Sequence, residues 1–154
     1  MKLVASIFIE AFCHATEDKD KVLSTILNLI PDPLRQEIKG NINVEALFGY
    51  YGNPIEVFRL KVSDREKAQD ITSRIIGSLE DLDYQYLLDT LNIRTDRKGN
   101  LYLRVNKQSL LIEKVVIDDE SDDIVKIKIK FLPHIRDEED IRNALYHLRK
   151  HSDG

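Results

Sequence analysis

Residues 124–132, IVKIKIKFL, alternate strictly between apolar and basic side chains. Successive side chains of an extended strand point to opposite faces. Val125, Ile127, Ile129 and Phe131 therefore fall on one face, and Lys126, Lys128 and Lys130 on the other. Such a strand is half buried, so its sheet has one covered face and one that is wet or meets a partner. Three like charges on one strand face also repel each other unless an anion lies alongside. RNA is one candidate for that anion; carboxylates of the same chain, including the acidic turn at 118–123, are another.

The remaining patterns supply the cover. Residues 3–13 read as a strand, and Thr16 is expected to cap a helix carrying Val22, Leu23, Ile26, Leu27 and Ile30, which Pro31 and Pro33 end. Two strands over 42–50 and 55–62 flank the turn YGNP (51–54). Ser63-Asp64-Arg65-Glu66 has the form of a capping box, with Ala68, Ile71, Ile75 and Leu79 buried behind it. A further helix starts near Asp81, with Leu82, Tyr86 and Leu91 as its apolar contacts. Strands over 100–105, 112–117 and 124–132 follow, then a helix capped by Asp137 whose stripe is Ile141, Ala144, Leu145 and Leu148. The predicted order is β-α-β-β-α-α-β-β-β-α: a two-layer α+β domain, a largely antiparallel sheet with helices on one face.

At 154 residues, 42% hydrophobic and 32% charged, the chain has the length and composition of one folded domain, residues 1–154. No apolar run approaches the ~20 residues of a membrane helix. The first residues lack the long apolar core and cleavage site of a signal peptide, so a cytoplasmic protein with no membrane contact is expected. Cys13 stands alone, which excludes an internal disulfide and a multi-cysteine zinc site.

The net charge of −4 argues against a nucleic-acid ligand, but the average conceals blocks. Residues 92–108 carry Arg94, Arg97, Lys98, Arg104 and Lys107 against Asp96 alone. Residues 113–123 carry Glu113, Asp118, Asp119, Glu120, Asp122 and Asp123 against Lys114 alone. In RKGNLYLRVNKQ (97–108), Leu101, Leu103 and Val105 share one strand face and Tyr102, Arg104 and Asn106 the other. An arginine suits phosphate and a neighbouring tyrosine an unpaired base. The same pattern also describes a solvated strand whose cations prevent edge-to-edge aggregation.

Other constellations point away from catalysis. Cys13 and His14 are adjacent on a strand and face opposite ways, a poor nucleophile–base pair. Free amides at the following helix start suit phosphate, yet Glu17 and Asp18 already occupy that field. His147 and His151 are four apart but have no third ligand nearby, so no metal is expected. Phosphate-loop and dinucleotide fingerprints are absent, and no cofactor is implied.

HATED (14–18) with KV (21–22), YGNPI (51–55), GNLYLR (99–104) and NKQ (106–108) follow one another in an order that resembles an archaeal RNA-binding family labelled a predicted exosome subunit. The resemblance spans about residues 8–132. It implies a fold similar to the large-subunit ribosomal protein that contacts 5S ribosomal RNA. It also implies RNA as ligand, and RNA processing or ribosome metabolism as the setting. The matched positions are His14 and Thr16, Tyr51 with Gly52 and Asn53, Tyr102 with Arg104, and Lys107 with Gln108. The chain departs from the family at Tyr50, where a histidine is expected, and at Asn106, where an aspartate is expected.

These readings combine into one expectation: a non-catalytic RNA-binding protein. Arg94, Arg97, Lys98, Arg104 and Lys107 supply cations, Tyr102 and Tyr51 stack, and His14, Asn53 and Gln108 adjoin. The alternative is a protein-interaction or dimerisation module within an exosome-like RNA-processing assembly, with RNA-processing proteins or a second copy of the chain as partners. A nuclease would need a convergent catalytic set, which the sequence does not offer.

Overall fold

The computed structural model describes residues 1–49 and 52–152. Tyr50 and Tyr51 lie outside them. Five strands are described, β1 (Val4–His14), β2 (Asn43–Phe48), β3 (Pro54–Val62), β4 (Asn100–Asn106) and β5 (Ile124–Phe131). They form one antiparallel sheet in the order β2-β3-β1-β5-β4. The helices are α1 (Lys19–Leu27), α2 (Arg35–Lys39), α3 (Arg65–Ser78), α4 (Asp81–Asp89), α5 (Leu91–Arg94), α6 (Lys107–Leu111) and α7 (Glu138–Lys150). α1 and α3 pack on β1, and α7 packs on α3. The expected α+β architecture is the observed one.

Alternation within the strands decides which face the helices cover. Ile7, Ile9 and Ala11 of β1 join Leu60 and Val62 of β3, Leu101, Leu103 and Val105 of β4, and Val125, Ile127 and Ile129 of β5 in one buried cluster. Ile71 and Ile75 of α3 and Leu145 and Leu148 of α7 complete it. Each of these larger side chains contributes about 1.5–3 kcal/mol through removal from water, so the stripe of each helix and the apolar phase of each strand are mutually selected. The opposite phase remains open apart from the buried Val57 of β3: Ser6, Phe8, Glu10 and Phe12 on β1, Lys126, Lys128 and Lys130 on β5, Tyr102 and Arg104 on β4, and Arg59 and Lys61 on β3.

Local differences from the sequence reading have local causes. The cap of α1 is Asp18, which accepts from the Asp20 amide at 2.9 Å, in place of Thr16. The cap of α3 is Asp64, accepting from the Lys67 amide at 3.1 Å, one residue after Ser63. In both, a carboxylate at the helix entrance takes the role expected of a hydroxyl. Residues 112–117 are not a strand. Asn106 Oδ1 accepts from the Ser109 amide at 2.8 Å and starts α6, and Glu113 at φ 59° turns the chain out of it. Contact with β4 resumes at the Val105–Ile117 bridge. Of the expected contacts Leu91 is buried, but Leu82 is 84% exposed and Tyr86 is also exposed; Leu87 anchors α4 in their place.

One glycine is dictated by geometry. Gly99 sits at φ 82° before β4, and a Cβ there would lie 2.8 Å from the Ile135 carbonyl oxygen. The turn that launches β4 therefore excludes any side chain.

Candidate nucleic-acid interface

The positive and negative blocks of the sequence meet in space. The loop at 118–123 folds back along β4 and α6, where its acceptors take up several of the cations expected to face a ligand. Asp119 pairs with Arg94, whose side chain is 5% exposed and also donates to Thr90 Oγ1 at 2.7 Å. The Ser121 carbonyl accepts from Arg104 at 2.8 Å, Asp118 accepts from Asn106 Nδ2 at 2.9 Å, and Asp123 accepts from Gln108 at 2.8 Å.

Lys107 is the deepest of these. Its ammonium donates to the Phe12 carbonyl at 2.8 Å and to Glu17 at 3.2 Å, and it pairs with Asp123 at 3.2 Å, with the side chain only 4% exposed. Three donors find three partners, leaving no proton for a phosphate. Lys107 thus ties HATED to NKQ: Glu17 also accepts from the His14 amide at 3.1 Å. Arg94 and Lys107 are corrected from surface cations to buried organisers, because both ammonium and guanidinium groups need paired carboxylates once removed from water.

The other expected residues fall into three places. Tyr102 and Arg104 stand on the open sheet face. Arg97 and Lys98 are exposed on the turn before β4. His14, Asn53 and Gln108 are exposed at the opposite end of the sheet, and Tyr51 lies outside the described residues. These end residues do not converge with Arg97 and Lys98, which lie a strand length away.

What remains unpaired is the lysine ladder. The acidic loop serves Arg94, Arg104 and Lys107, and among the described residues Lys126, Lys128, Lys130 and Lys61, like Arg97 and Lys98 on the turn, form no ion pair. Two of these lysines lie over rings: Lys126 Nζ is 5.7 Å from the centroid of Phe12, and Lys128 Nζ is 5.9 Å from that of Tyr102. Cross-strand register sets out one row as Tyr102, Lys128, Phe8, Lys61, and the next as Arg104, Lys126, Glu10, Arg59. In the first row, ring and cation alternate across four strands. Phe8 and Phe12 were not singled out in the sequence; their signal was that IFIEAF puts two phenylalanines on the polar phase of β1.

Tyr102 is held in place. Its hydroxyl donates to Asp96 Oδ2 at 3.2 Å, and the same carboxylate accepts from the Asn100 side chain at 3.0 Å, the Asn100 amide at 3.1 Å and the Lys98 amide at 2.9 Å. Partial burial pushes the Asp96 carboxyl upward, but these four donors outweigh it and bring the pKa down to about 2. The Tyr102 phenol moves the other way, raised by burial and then by the Asp96 charge.

Among the described residues no group of three metal-ligating side chains exists, and no helix is long and apolar enough to cross a membrane.

A family model described as RNA binding matches residues 6–131. A Pyrococcus abyssi protein named as an RNA-binding protein is 30% identical over 131 residues, covering 83% of each chain. A Methanocaldococcus jannaschii protein is 33% identical over 131 residues, covering 84% of this chain and 85% of its own. Among solved structures, one from Sulfolobus solfataricus superposes with a TM-score of 0.73 at 29% identity, covering 94% of this chain and 97% of its own. One from Methanothermobacter thermautotrophicus superposes with a TM-score of 0.73 at 25% identity, covering 95% and 98%.

Proposed function

The chain belongs to the RNA-binding family whose model spans residues 6–131, and from that premise we propose that it is a non-catalytic protein that holds RNA on the open face of its sheet. The carrying observation is the ladder Lys126, Lys128 and Lys130, free of ion pairs among the described residues and flanked by Phe8, Phe12 and Tyr102. Cations without internal carboxylate partners break no ion pair by meeting phosphate, and they release the counterions condensed on the nucleic acid. Arg97 and Lys98 extend the charge beyond one end of β4. The net charge of −4 is compatible with this because Asp118, Asp119 and Asp123 are engaged by Asn106, Arg94 and Lys107 and not by the ladder. The resemblance noted in the sequence suggests RNA processing or ribosome metabolism in the cytoplasm as the setting.

Filter binding of total cellular RNA is the test. Retention at low salt that falls steeply as salt rises supports the proposal; no retention at low salt rejects it.

A second reading, dimerisation or contact with an RNA-processing protein, has its own observation. β2 is a sheet edge, with Val44 52% and Phe48 77% exposed and no lysine or proline guarding it. Sedimentation of nuclease-treated protein separates the readings: a dimer that survives nuclease favours the edge, and a monomer disfavours it.

A further inference from the structure

The open face is not uniformly basic. It holds a depression of about 330 Å³ lined by Tyr102 and Phe8, by Arg104, Lys126 and Lys128, and by Glu10. That is the low end of the roughly 300–1,000 Å³ of small-ligand sites, suited to a single flat group. Glu10 is the anomaly. Its side chain is 16% exposed, and its Oε2 accepts from Arg59 Nε at 2.9 Å. Among the described residues its Oε1 accepts nothing. A carboxylate in a phosphate-binding patch repels phosphate. In the row next to the two rings, however, and lining the same depression, it offers an acceptor to a group that stacks there.

Resting on the RNA reading above, we infer that this depression takes one unpaired nucleobase, stacked against Tyr102 and Phe8, and that Glu10 selects bases bearing an exocyclic amino group. The chemistry follows from each component. Aromatic rings gain from a base only if its face is free, as in single strands and loops and not in an A-form helix. Lys128, which lies between the two rings with its ammonium over Tyr102, yields that ring face to the base and meets a phosphate beside it, as does Lys126 in the next row. Glu10 Oε1, ionised, can only accept, so it pairs with the exocyclic amino group of cytosine, adenine or guanine and opposes the O4 carbonyl of uracil. Asp96 fixes the Tyr102 hydroxyl and so orients the ring before the base arrives.

Cytosine and uracil stack alike and differ along one edge, an amino group beside an acceptor N3 in cytosine and a carbonyl beside N3–H in uracil, so their ratio reads which of these groups Glu10 meets. Fluorescence anisotropy would be run with a labelled oligocytidine, an oligouridine of equal length and a duplex of equal length. Wild-type protein binds oligocytidine about tenfold more tightly than oligouridine, and both more tightly than the duplex. Tyr102→Leu weakens both oligonucleotides about tenfold without changing the salt slope. Glu10→Gln, whose amide can turn to accept or donate, brings the cytidine-to-uridine ratio close to one.

A duplex bound as tightly as the single strands overturns the inference, as does a wild-type ratio of one or a ratio unmoved by Glu10→Gln. Should Glu10→Gln fail to fold, the wild-type ratio still decides. Protein that retains neither oligonucleotides nor total cellular RNA loses the RNA reading itself. Binding that favours the duplex removes only the base site.

Discussion

Replacing Lys126, Lys128 and Lys130 together by glutamine tests the open face most directly. Each of the three is free of ion pairs among the described residues, so each has a full charge to offer. For single strands, every phosphate neutralised adds about 0.7 to the slope of log affinity against log salt. Three lysines therefore account for a slope of about 2, and at roughly 0.1 M salt for a ~100-fold loss of affinity. The fold should not suffer. The ladder's charges repel one another, and glutamine keeps most of the length of the side chains that Lys126 and Lys128 lay over Phe12 and Tyr102. The assay is anisotropy with a single-stranded oligonucleotide over a salt series from about 50 to 200 mM, with thermal melting of the same samples. A matched control replaces Lys39, Lys114 and Lys150, exposed lysines on other surfaces, and changes net charge equally. An unchanged slope in the ladder variant, or an equal drop in the control, would show that binding does not use this face.

Lys107→Met should leave the salt slope intact but lower stability by about 2–3 kcal/mol, measured by urea unfolding, because Glu17 and the Phe12 carbonyl lose their donor. A lost slope with unchanged stability would return Lys107 to the surface role. Asp96 has a folded pKa of about 2 against an ordinary 3.8. Its stabilisation is full above 3.8 and is lost as pH falls through 2. The melting temperature should therefore fall across that window, and Asp96→Asn, weaker by about 2 kcal/mol at neutral pH, should flatten the fall; parallel curves would exclude the role. Gly99→Ala should cost at least about 1–2 kcal/mol from the positive φ alone, read by the same unfolding assay, with the Ile135 carbonyl adding to it.

Much of the architecture was legible in period. The 2.0 repeat of 124–131 and the 3.6 repeats of 65–78 and 138–150 survive folding because each buries a contiguous apolar face, and removal of apolar surface from water is the main force favouring the folded chain. Residues 112–117 misled for the same reason. Val115 and Ile117 are apolar and buried, but they are carried by a loop that pairs with β4 at one bridge. Composition reports that a residue is buried, not the backbone that carries it there.

The candidate site divided along a different line. That Tyr102 and Arg104 share a face, and that the three lysines share one, follows from alternation within a strand, which is a local property. Which cations are free was decided by tertiary structure alone. Arg94, Arg104 and Lys107 looked equivalent to the ladder in sequence, and the acidic loop looked equally able to neutralise either set. Packing brought that loop against α5, β4 and α6, so Asp119 met Arg94 and Asp123 met Lys107. The ladder, on the uncovered face of β5, kept its charge. Strand period is fixed by covalent geometry and is written residue by residue. Charge pairing depends on distances between segments far apart in the chain, and those exist only once the sheet has ordered its strands.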